Sequence, residues 1–174
     1  MRGDRVATTP AELFERHHAA IYRYLLRMTG SREAAEELTQ DVFVRVLKGL
    51  EHYQERDQER AWLFRIARNL RCDDARRRQR RPPSTALEDV NPIEPQRQEL
   101  QYSLARALAA LSDEDREAFV LGEIGGFSYV EIGVICETTP AAIRSRIYRA
   151  RLALRRALDA PAVRERTFMR GTHA

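Results

Sequence analysis

At 174 residues the chain is long enough for one or two small domains. Its 43% hydrophobic content can build a core, and its 32% charged content points to much exposed helix; a net charge of +4 acts only where it is concentrated. Two cysteines without CxxC spacing argue against a disulfide scaffold, and with no apolar run near membrane-spanning length and no signal-peptide core in the sequence neither a spanning segment nor secretion is expected. A cytoplasmic chain that does not insert in the membrane is therefore expected.

The first predicted element opens at Thr9-Pro10-Ala11-Glu12, a capping box with proline at the first helical position. A helix follows to about Thr29, with Leu13, His17, Ile21, Tyr24, Leu25 and Met28 inward, and Gly30 stops it. Ser31 caps a second helix from Arg32 to about Leu50, with Ala35, Leu38, Val42 and Val46 inward and Phe43, Leu47 and Leu50 alongside. Residues 52–60 read as a polar loop. A third helix spans Ala61 to about Arg78, with Trp62, Leu63, Ile66, Ala67 and Leu70 inward. Residues 82–98 hold four of the seven prolines and a net negative charge, which is linker composition. Helical spacing resumes at about Glu99 with Leu100, Leu104, Leu108 and Leu111. Ser112–Asp115 reads as a capping-box start for a helix to about Glu123, and Gly125-Gly126 breaks it. Ser128–Glu131 caps a short helix, Glu137-Thr138-Thr139 is its turn, and Thr139-Pro140 starts a last helix to about Leu158. The pattern is all-α: two small helical domains joined by a flexible linker, at 10–81, 82–98 and 99–158, with a tail at 159–174.

Charge is unevenly spread along these elements. Eight Arg against Asp73 and Asp74 give the segment Arg65–Arg81 a local +6; six Arg and no acid give Arg144–Arg156 another +6. Two basic blocks suit two contacts along one polyanion. The capped helix, tight turn and basic helix at 128–158 have the layout of a helix-turn-helix. Ile143, Ile147, Ala150 and Leu154 take its core side, which leaves Arg144, Ser145, Tyr148 and Arg149 outward beside Arg146. A solvated basic face on a structural helix is the plainer alternative. In the third helix, aromatics beside cations suit unstacked bases, although Trp62 alone reads as a core anchor. Asn69 can pair with a base edge, while Asp73 sets an unexplained acid four residues on. His17-His18 diverge on a helix and lack further ligands, so no metal or cofactor is expected. Asp73-Asp74 also diverge and make no catalytic pair, which argues against a nucleic-acid enzyme. A regulator whose first domain dimerises or senses a ligand remains the rival. Cys72 and Cys136 favour burial as small apolar side chains, with oxidant sensing open.

Four ordered blocks carry a more specific likeness. They are Ala35-Glu-Glu-Leu-Thr-Gln-Asp-Val-Phe-Val-Arg-Val46, Ala61-Trp-Leu-Phe-Arg-Ile-Ala-Arg-Asn-Leu70, Leu111-Ser-Asp-Glu-Asp-Arg-Glu-Ala-Phe119, and Gly126-Phe-Ser-Tyr-Val-Glu-Ile132 with Ala142-Ile-Arg-Ser-Arg-Ile-Tyr-Arg-Ala-Arg151. Over roughly residues 11–158 the chain resembles the extracytoplasmic-function sigma factors of the sigma-70 family, built of sigma-2 and sigma-4 domains. The resemblance implies a non-enzymatic initiation factor. Glu37, Gln40, Asp41 and Arg45 would dock on the β′ clamp helices of core RNA polymerase, whose β flap is a second partner. The loop 52–60, Asn69 and Arg65 would capture the minus-ten element, with Arg76, Arg77 and the run to Arg81 on nearby phosphates. Arg144, Ser145, Arg146, Tyr148 and Arg149 would read the minus-35 element. An anti-sigma factor clamping both domains is implied as well. Two departures stand out: Ala141-Ala142-Ile143 replaces the frequent Val-Gly-Thr-Val, and Glu137-Thr138-Thr139 replaces a small turn ending in an aliphatic residue.

Overall fold

A computed structural model of the chain describes residues 9–49, 58–79 and 95–159. The first helical group is α1 (Pro10–Thr29), α2 (Arg32–Gly49) and α3 (Glu59–Gln79). The Thr9–Glu12 capping box is closed in both directions, and Gly30 ends α1 with φ +69° in the left-handed region. The expected stripes meet in one core of Leu13, Ile21, Leu25, Leu38, Val42, Val46 and Leu63. Leu47 departs from that pattern: it is 58% exposed, because Val42, Phe43 and Val46 fill the inward arc of α2. Helix α3 begins two residues before Ala61. Glu59 there accepts from Arg16 Nη1 at 2.9 Å and lies 2.7 Å from His17 Nε2, which ties its first turn to α1.

The second group is α4 (Pro95–Ala109), α5 (Asp113–Phe119), a π-helical turn (Val120–Ile124), α6 (Tyr129–Cys136) and α7 (Pro140–Asp159). Residues 95–98, expected to belong to the linker, are already helical. Proline is tolerated at a first helical position because it lacks only an amide with no partner there. The rest of that linker, loop residues 50–57 and the tail beyond 159 lie outside the described residues. The Ser112 hydroxyl accepts from the Asp115 amide at 3.2 Å, yet the reciprocal half of a capping box is missing. An aspartate in place of glutamate leaves its carboxylate for another partner. The π turn closes with Gly125 N–H donating to Val120 C=O at 2.8 Å. A Cβ at Gly125 would lie 2.5 Å from the Leu121 carbonyl, so only glycine fits.

That wide turn delivers Phe127 to α3. Its ring meets Phe64 edge-on at 4.8 Å, under the Arg60 guanidinium at 3.9 Å, while Arg60 donates to the Gly125 carbonyl. Beside it, Glu117 is only 3% exposed and takes four donors. Tyr24 Oη donates to Oε1 at 2.7 Å and Arg71 Nη2 at 3.0 Å; Arg68 Nε donates to Oε2 at 3.1 Å and Cys136 Sγ at 3.6 Å. Arg71 Nη1 also reaches Asp113 at 2.7 Å. The apolar core runs on through Leu121, Ile132, Ile135, Ile143 and Ile147, so the two groups share it. Helix α4 packs on α7 through Ala107, Leu108 and Leu154.

Candidate nucleic-acid interface

The helix-turn-helix is built from local chemistry upward. Ser128 and Glu131 cap α6 reciprocally, and this holds the Glu131 carboxyl below the usual carboxylate range. Gly133 lets the turn fold back closely: a Cβ there would lie 2.8 Å from the Thr138 carbonyl. Thr138 N–H then donates to Gly133 C=O at 2.9 Å, with Glu137 in the left-handed region at φ +54°. Thr139 Oγ1 accepts from the Ala142 amide at 3.2 Å and starts α7.

Ile143, Ile147, Ala150 and Leu154 of α7 are buried. Arg144, Ser145, Tyr148 and Arg149 are exposed on the other side, as the spacing requires, and Tyr148 stands out at 67%. Arg146 is half-buried and sits on the flank of that face. The sequence shows no acid within this basic block, but the fold supplies two from elsewhere. Asp115 receives Arg149 Nε at 3.0 Å and Nη2 at 2.7 Å; Glu123 receives Arg151 Nη2 at 2.6 Å. These ion pairs strengthen the proton hold of both guanidiniums.

On α3, Arg65, Asn69, Arg76 and Arg77 are all exposed. One-turn spacing sets Arg65, Asn69 and Asp73 on one face. Asp73, unexplained by pattern, accepts from Arg76 Nη1 at 3.2 Å. Asp74 accepts from Arg77 at 3.2 Å and from Arg78 at 2.6 Å. The Asp73–Arg76 pair is exposed at both ends, where such pairs are worth about 0–1 kcal/mol; Asp74 is largely buried, but its two arginines stay more than half exposed, so all three remain open to phosphates. Arg68 and Arg71 overturn part of the charge reading: they turn inward to Glu117 and leave the outward block. Only their partners across the chain could have revealed that. The α2 residues Glu37, Gln40, Asp41 and Arg45 are exposed, with Val44 and Leu47 open beside them. Polar groups around two aliphatics suit a protein surface better than a polyanion.

Among the described residues, no helix is long and apolar enough to cross a membrane, and no three His, Cys, Asp or Glu converge for a metal ion. The Cys136 thiol is pushed up to about 12 by burial and by the Glu117 carboxylate.

Residues 13–81 match the family description Sigma-70 region 2, and residues 101–154 match Sigma-70, region 4. The chain is 36% identical over 163 residues to the ECF RNA polymerase sigma factor SigE of Mycolicibacterium smegmatis, across 88% of this chain and 63% of that protein's length. It is 31% identical over 158 residues to the ECF RNA polymerase sigma factor SigM of Mycobacterium tuberculosis, across 90% of this chain and 79% of the relative. The sigma factor RpoE from Bartonella quintana, solved in complex with the anti-sigma factor NepR, superposes with a TM-score of 0.73 at 26% identity. The match covers 86% of this chain and 96% of that one. A first domain devoted to dimerisation or ligand sensing does not fit the region 2 match over α1–α3. With region 2 followed by region 4 and these relatives, the chain belongs to the sigma-70 family as an extracytoplasmic-function RNA polymerase sigma factor.

Proposed function

We propose that this chain binds core RNA polymerase and directs promoter-specific initiation without catalysing chemistry itself, in the cytoplasm. Residues 10–81 form the polymerase-docking and minus-ten module, 82–98 the connection and 99–158 the minus-35 module, with a tail beyond. Glu37, Gln40, Asp41 and Arg45 dock on the β′ clamp helices. Arg65 and Asn69 hold bases extruded from the minus-ten duplex, and Arg76 and Arg77 hold phosphates beside them. Capture of extruded bases offsets an unstacking cost of a few kcal/mol. Arg144, Ser145, Tyr148 and Arg149, flanked by Arg146, read the minus-35 duplex, and the β flap supports that module.

One observation carries the reading: each module presents its own exposed arginines, Arg144 and Arg149 on α7 in one and Arg65, Arg76 and Arg77 on α3 in the other. Two such sets suit a factor that reads two DNA elements. The Bartonella neighbour was solved with an anti-sigma factor bound, and a partner of that class is proposed here too. The test is transcription by purified core polymerase on a library of genomic fragments, with and without the chain. Discrete new start sites are expected. A start-site pattern identical to that of core polymerase alone would overturn the reading.

A further inference from the structure

The outward face of α7 carries one side chain held by a rigid partner. Arg149 is 58% exposed, while the carboxylate that grips it, Asp115, is 14% exposed. The Asp115 backbone is fixed by the Ser112 hydroxyl in the first turn of α5, and its carboxylate is not spent on the capping box. Both of its oxygens take one edge of the guanidinium, Nε and Nη2. A guanidinium has five N–H donors arranged in a planar fork. With the Nε edge occupied, the Nη1–Nη2 end keeps the pair of parallel donors that a base edge with two acceptors accepts.

We propose that Asp115 is a specificity-determining positioning residue of the promoter interface. It presents Arg149 end-on, with its plane set before DNA arrives, to a base bearing two major-groove acceptors. This deepens the reading of α7 as the minus-35 reader and rests on it. The arrangement has two opposed consequences. Ordering a rotamer-rich side chain beforehand removes an entropy cost from the specific complex. A carboxylate beside the DNA path repels phosphates and weakens binding to every sequence alike. Asp115 therefore trades affinity for discrimination.

The experiment is competitive selection by the full chain on a duplex library randomised over about one helical turn, for wild type, Asp115→Ala, Asp115→Asn, Arg149→Ala and the Asp115→Ala/Arg149→Ala pair. Melting curves confirm that each variant is folded. Arg149→Ala is expected to flatten preference at one or two positions. Either Asp115 variant is expected to lower preference at those same positions by roughly two- to tenfold, while its affinity for a fixed non-specific duplex rises. In the Arg149→Ala background, removing Asp115 is expected to change no position further. A purely structural role would shift all positions together or none. If Arg149→Ala flattens particular positions and both Asp115 variants leave them intact, the inference is wrong while the minus-35 reading stands. If Arg149→Ala alters no position, the underlying reading fails first.

Discussion

Asn69 stands exposed on α3 one turn beyond Arg65, where an amide can both donate to and accept from a base edge. Asn69→Ala is expected to reduce open-complex formation more than closed-complex binding, read by permanganate reactivity on a responsive promoter. Equal loss in both complexes would make Asn69 structural. Cys136 answers the oxidant question in the opposite direction from a sensor. The thiolate is the reactive species, and burial with the nearby Glu117 carboxylate pushes this thiol up to about 12. Alkylation of the native chain at pH 8 is expected to spare Cys136 and to reach it only on denaturation. Rapid native labelling would contradict its place in the core. The same shift predicts a pH effect. The unfolded chain releases this proton near pH 9 and the folded chain near 12, so the thiol's contribution is complete below 9 and is lost on the way to 12. Wild type should lose stability over that range more steeply than Cys136→Ala.

Helix boundaries were the most legible elements because their chemistry is local. Thr9–Glu12 and Ser128–Glu131 close as capping boxes, Gly30 ends α1, and Pro140 opens α7 just after the Thr139 cap. Pro95 misled because proline marks both linkers and helix starts, and composition alone does not separate them. Leu47 misled because a helical stripe is wider than the arc that the neighbouring helices cover. The turn of the helix-turn-helix also holds a strained position. Glu137 adopts a left-handed conformation that costs a side-chain-bearing residue about 1–2 kcal/mol and glycine almost nothing. Allowing for the extra entropy of glycine in the unfolded chain, Glu137→Gly should stabilise by about 1 kcal/mol, or roughly 2–4 °C in Tm. A lower Tm would mean that the Glu137 side chain makes a stabilising contact. The Glu131 cap should weaken as the pH falls through and below the ordinary carboxylate range, because its carboxyl is held low in the folded chain. Glu131→Gln should flatten that acid limb of stability.

Taken whole, the molecule differs most from its sequence pattern where distant residues meet. Tyr24 and Glu117 are 93 positions apart, and Arg71 and Glu117 are 46 apart. No periodicity carries such pairings, so Arg68 and Arg71 read as part of a DNA-facing block. Glu117→Ala would remove the buried carboxylate of Arg71 and leave it only the half-exposed Asp113, at a cost of about 3–5 kcal/mol. A fall in Tm of roughly 10 °C is expected. A change within about 2 °C would mean that the contact contributes little to the fold. Polymerase docking is assigned to a different surface, the exposed α2 face of Glu37, Gln40, Asp41 and Arg45. It is tested most directly by equilibrium binding of the full chain to purified core RNA polymerase, wild type against Asp41→Arg/Arg45→Asp. Saturable binding by wild type is predicted, with affinity reduced about tenfold or more in the reversed variant and unchanged helical circular dichroism. Absence of saturable binding by the wild-type chain, or equal affinity for both proteins, would rule out polymerase docking through α2.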